Sequence, residues 1–68
     1  MLFYIEAKVS AKIAGISGPF QETYVKLVHA NNINEAKVKF ENYIRQVKAH
    51  TMPEKLMFEY LKLGDELL

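Results

Sequence analysis

From Leu2 to Ile13 the side chains alternate in character, with Phe3, Ile5, Ala7, Val9, Ala11 and Ile13 in one set and Leu2, Tyr4, Glu6, Lys8, Ser10 and Lys12 in the other. A period of two sends successive side chains to opposite faces of an extended chain, so this pattern predicts a long strand with one buried face. Ala14 to Pro19 then offers two glycines able to take positive φ and a proline with no amide donor, the chemistry of a hairpin loop. Phe20 to Ala30, rich in β-branched and aromatic residues, reads as a second strand, and the short connection makes the pair antiparallel. Gln21, Thr23, Val25, Leu27 and His29 form its uncharged side, expected to face inward. Phe20, Glu22, Tyr24, Lys26 and Val28 form a mixed side, expected to face outward, with a bulge as the device that could switch the phase partway.

The pattern changes after the turn residues Asn31 and Asn32. Ile33, Ala36, Phe40, Tyr43, Ile44 and Val47 recur at i, i+3, i+4 and i+7, an apolar stripe on a helix running to about Ala49. Asn32 can cap its first turn and Glu35, three residues on, can reach back to the cap amide. Glu35 with Lys39, and Glu41 with Arg45, are i, i+4 pairs in the favourable order. Thr51-Met52-Pro53-Glu54 then resembles a second capping box with proline in the first turn. Leu56, Tyr60, Leu63 and Leu67 repeat at helical spacing behind it, as do Met57, Leu61 and Leu68. A second helix is therefore expected, with a third strand as the runner-up because Leu56, Phe58 and Tyr60 also alternate. The predicted fold is a single α+β domain spanning the chain, a two-stranded antiparallel hairpin packed by a central and a C-terminal helix (ββαα), with ββαβ as the alternative.

Composition narrows the class without naming a chemistry. The chain has 68 residues, half of them apolar, a formal net charge of +1 and no cysteine. Neither a disulfide framework nor a thiolate metal site can hold it together, so packing must. The apolar start is cut by Glu6 and Lys8, short of a bilayer span and without a basic leader, which points to a cytoplasmic chain. The Lys, Ile, Asn and Tyr content suits an AT-rich genome, such as that of a small bacteriophage or a low-GC bacterium.

No catalytic, metal or nucleotide motif stands out. Gly15-Ile16-Ser17-Gly18 spells the Gly-x-x-Gly of a backbone-clamping loop, but that loop joins two helices and this one joins two strands. His29 and His50 are the only imidazoles and have no ligand-spaced companions. Glu54, Glu59, Asp65 and Glu66 look like a solvated face, with no pair set apart for acid and base work. No enzyme activity, cofactor or metal is expected.

A two-stranded ribbon is marginal alone, and helices on one side would leave the other side apolar. The expected function is therefore a non-enzymatic protein–protein interaction, either self-association as a homodimer or binding of a partner, as a small phage-type inhibitor or adaptor would do. Tyr4, Phe20, Tyr24 and Val28 are the expected anchors, with Lys8, Lys12 and Lys26 orienting at the rim. The alternative is nucleic-acid binding through the same aromatic and lysine side chains, which the near-zero net charge disfavours.

Overall fold

In the computed structural model, residues 1–16, 18 and 20–65 are described. Strand β1 (Leu2–Lys12) is followed by β2 (Phe20–His29), helix α1 (Ile33–Lys48), a 3-10 turn at Ala49–Thr51, and β3 (Lys55–Asp65). The sheet order is β2-β1-β3, and β1 runs antiparallel to both neighbours. The α+β class holds, but the expected C-terminal helix is a third strand, as in the alternative ββαβ. Leu67 and Leu68, assigned to that helix, lie outside the described residues, as does Ser17 of the glycine loop.

The reason for the strand lies in β1. Its second edge needs hydrogen-bond partners, and Leu56, Phe58 and Tyr60 supply apolar side chains opposite Ala11, Val9 and Ala7. Tertiary pairing of this kind outweighs intrinsic helix preference, which amounts to about 0.5 kcal/mol per residue. The expected second capping box does not form. The Thr51 hydroxyl donates to the Lys48 carbonyl at 2.7 Å, so this residue closes the preceding helix. Met52 then takes a left-handed conformation at φ 49°, and the Glu54 amide donates to the Lys12 carbonyl at 2.8 Å, where the β1–β3 pairing begins.

A register shift between Glu6 and Ala7 marks a bulge in this pairing: Ala7 opposes Tyr60 while Glu6 opposes Lys62, which leaves Leu61 as the extra residue. The side-chain phase of β3 changes across it. Leu56, Phe58 and Tyr60 share the odd-numbered face of β1, and beyond the bulge Leu63 rejoins that face opposite Ile5.

Helix α1 covers the odd-numbered face. Phe3, Ile5, Ala7 and Val9 join Val28, Ala30, Ala36, Phe40 and Ile44 in one buried cluster. Phe40 is closed to solvent, with its ring edge-on to Phe58 at 6.3 Å and tilted against Tyr60 at 6.1 Å. The Asn32 half of the predicted capping box forms, with Oδ1 accepting from the Glu35 amide at 2.8 Å, but the Glu35 side chain turns to other partners than the Asn32 amide. The Glu35 carboxylate takes Asn31 Nδ2 at 3.2 Å and Lys39 Nζ at 3.3 Å. The Glu41–Arg45 pair closes at 3.6 Å. Of the predicted stripe, Ala36, Phe40 and Ile44 are buried and Ile33 is half-buried, whereas Tyr43 and Val47 are exposed at the helix flank.

Candidate interaction surface

Because β1 is central and its alternation is regular, the even-numbered side chains all emerge on the face opposite α1. Residues directly opposed in a sheet share a face, so the pairings define its rows. Leu27, Tyr4 and Gly64 make one row, followed by Val25, Glu6 and Lys62, then Thr23, Lys8 and Glu59, then Gln21, Ser10 and Met57. One end of this bare face is apolar, built from Leu2, Tyr4, Val25 and Leu27, with Val25 57% and Leu27 48% exposed. Space beside Tyr4 is open at Gly64, where a Cβ would meet nothing within 4 Å. The Tyr4 hydroxyl donates to Glu6 Oε1 at 3.2 Å, which ties the ring's polar end to the charged rows. In those rows Glu6 faces Lys62 and Lys8 faces Glu59, so opposite charges stand across the strands.

The predicted contact residues divide between the two faces. Tyr4, Lys8 and Lys12 lie on the bare face, while Phe20, Tyr24, Lys26 and Val28 oppose Ala11, Ala7, Ile5 and Phe3 and so lie on the helix side. The phase expected for β2 is therefore reversed. Its uncharged residues Gln21, Thr23, Val25, Leu27 and His29 face away from the helix and are exposed, whereas Val28 is buried in the core. The charged residues are accommodated because β2 lies at the sheet's rim, where long side chains bury their stems and keep their heads wet. Lys26 Nζ sits 4.2 Å from the centre of the Tyr43 ring. Lys48 reaches from α1 to form a close ion pair with Glu22 and lies 5.6 Å from the Tyr24 ring. The Tyr24 hydroxyl donates to Glu22 Oε2 at 3.1 Å.

Val25 and Leu27 are the β2 members of the apolar end, and neither is among the contacts expected from the sequence. Which β2 residues oppose Phe3 and Ile5 is set by the β1–β2 register, which residue order alone does not carry. Phe20, half exposed, lines a shallow groove of about 270 Å³ with Ala11, Ile13, Ile16, Glu22, Lys48 and Thr51. A second recess of about 250 Å³ lies between Arg45 and the Pro53–Leu56 segment.

The perturbed titrations reinforce charges or hydrogen bonds already in place. The hydrogen bond from Lys48, helped by Tyr24, holds the Glu22 carboxyl below its ordinary 4.5. Lys39 does the same for Glu35. Lys48 is raised above 10.5, first by its bond to Glu22. Burial, then the hydrogen bond to Glu41, raises Tyr60 above its ordinary value. Both histidines are exposed, and Lys39 Nζ donates to the His29 carbonyl at 2.8 Å. Among the described residues no three His, Cys, Asp or Glu side chains cluster as a metal site would require, and no helix is long and apolar enough to cross a membrane. Comparison with protein-family models, with curated proteins and with solved structures returned no match.

Proposed function

We propose that this chain is a non-enzymatic protein-binding module of the cytoplasm, with the bare face of the sheet as its contact surface. The observation that carries this is a three-stranded sheet with, among the described residues, a helix on one side only, whose other side presents Leu2, Tyr4, Val25 and Leu27 together. Aromatic and aliphatic side chains at the centre of such a patch supply most of the affinity, and charges around it set orientation. Tyr4 is the anchor, flanked by Val25 and Leu27. Lys8 and Lys12, farther along the face, orient the partner.

The same rows argue against nucleic acid. Counterion release needs clustered cations, whereas Lys8 and Lys62 each stand opposite a carboxylate on the neighbouring strand, and among the described residues Lys12 opposite Lys55 is the one row of this face with cations on both strands. The test replaces Tyr4 and Leu27 by serine and compares the partner captured by the immobilised variant and wild-type chains. The variant is expected to lose the partner with an unchanged circular dichroism spectrum. Full retention of the partner, or salt-dependent binding of an oligonucleotide at micromolar protein, would overturn the proposal.

A further inference from the structure

The sheet has two outer edges, and among the described residues only one of them is left straight and open. β2 pairs with β1 without a register shift from Phe20 to His29. The Ala30 amide donates to the Met1 carbonyl at 3.0 Å, which fixes the alternation of the ladder. Val28, Lys26, Tyr24 and Glu22 direct their backbone groups toward β1, so Leu27, Val25, Thr23 and Gln21 direct theirs out of the sheet. At the far end Lys39 already takes the outward carbonyl of His29. The other edge, β3, is interrupted by the bulge at Leu61 and begins just after Pro53, two devices that discourage pairing.

We infer that β2 pairs antiparallel with β2 of a second copy of this chain, about a twofold axis passing beside Tyr24, to make a continuous six-stranded sheet. Two constraints select this register. Outward backbone groups must meet outward backbone groups, which requires odd-numbered residues to oppose odd-numbered ones. Of the registers that satisfy this, the one centred on Tyr24 sets Glu22 against the partner's Lys26, and Lys26 against the partner's Glu22. It also brings Thr23 opposite the partner's Val25 and Gln21 opposite the partner's Leu27, each pair exchanging two main-chain hydrogen bonds. Centring on Glu22 or on Lys26 would oppose like charges instead, and centring on Thr23 or on Val25, which also opposes odd-numbered residues, would set no carboxylate against a lysine. β3 could likewise set Lys55 against Glu59, but its regular stretch ends at Tyr60 and offers fewer hydrogen bonds. This pairing uses the edge of the sheet, so it stands independently of binding through the bare face.

Light scattering over a concentration series tests the inference directly. The wild-type chain is expected to move from monomer toward dimer mass as concentration rises, and a chain that stays monomeric at millimolar concentration would overturn the pairing. Val25→Pro removes one outward amide, a change that edge strands tolerate on their solvent side. It should yield a folded monomer, and a dimer that survives it would exclude the β2 edge. Should that variant fail to fold, charge reversal decides. Lys26→Glu and Glu22→Lys should each weaken self-association by about tenfold through two like-charge contacts per dimer. An equimolar mixture of the two should restore it as a heterodimer. Variants that self-associate as wild type does, with no gain on mixing, would overturn the register.

Discussion

The two faces of β1 meet different surroundings although they belong to the same eleven residues. On the odd-numbered face Ile5 and Ala7 are closed to solvent beneath α1, and Phe3, Val9 and Ala11 nearly so. On the even-numbered face Leu2, Tyr4, Glu6, Lys8 and Ser10 are half-buried, screened only by side chains of the adjoining strands. The difference follows from how much covering material the chain possesses. A helix of 16 residues is about 24 Å long and can lie across one side of a three-stranded sheet. The second side is left to cross-strand neighbours, which at the Lys8–Glu59 and Glu6–Lys62 rows place opposite charges across the strands and at the Tyr4 row do not. An apolar end that internal packing does not require is the part of the bare face suited to another molecule.

Substitution on the covered side should cost the most. Phe40→Ala leaves a cavity between the helix and the rings of Phe58 and Tyr60, a loss of about 3–5 kcal/mol. At roughly 0.1 kcal/mol per residue the chain holds about 7 kcal/mol, so that variant should lose about half of its stability, read as a much lower midpoint in urea titrations followed by circular dichroism. The next test compares neighbours on one strand. Ala7→Leu forces bulk under α1 and should cost about 1–3 kcal/mol. Lys8→Leu, one residue along and on the open side, should change stability by no more than about 0.5 kcal/mol. Equal effects at Ala7 and Lys8 would erase the distinction between the faces.

This asymmetry also explains which elements could be read from residue order. β1 and α1 follow simple periods, because a central strand with one covered face alternates cleanly and the helix has both a side-chain cap and a buried stripe. β2 misleads because it lies at the rim: Glu22 and Lys26 occupy the covered side by reaching to Lys48 and to the ring of Tyr43, so charge is a poor guide to burial there. β3 misleads for a geometric reason. The extra residue at Leu61 makes the covered side run Leu56, Phe58, Tyr60, Leu63, and the last interval of three combines with Leu56 and Tyr60 to imitate a helical repeat. The placement of Tyr4, Lys8 and Lys12 on the open face was contained in the alternation of β1. The addition of Val25 and Leu27 required the pairing register, which no local pattern carries.

A smaller effect sharpens the contrast within the charged rows. Glu59→Lys puts like charges across from Lys8 in solvent, and the expected cost is about 0.2–1 kcal/mol, reduced by added salt. A urea midpoint that drops at low ionic strength and recovers at high ionic strength would identify the row as an electrostatic ladder. A salt-independent loss would point to packing instead.

The smallest expected effect concerns acid, and it falls on the covered side. Glu22 has a folded-state pKa below its ordinary 4.5, chiefly because Lys48 bonds to it from the helix. Its contribution is therefore present above the ordinary value and is lost as pH falls through the lower folded value, where the unfolded chain already holds the proton. Glu35, lowered by Lys39, acts in the same direction. Stability should thus decline as the solution is taken from neutral pH to about pH 3. Glu22→Gln should flatten part of that decline while removing the helix-to-β2 ion pair at every pH. Both carboxylates are exposed, so solvent screening keeps the change small, and urea midpoints of wild type and Glu22→Gln measured in parallel across this range provide the check. Identical acid limbs would mean that the Lys48 contact does not couple α1 to β2 in solution, leaving the apolar cluster and the contacts of Lys39 with His29 and Lys26 with Tyr43 to hold the helix on this strand.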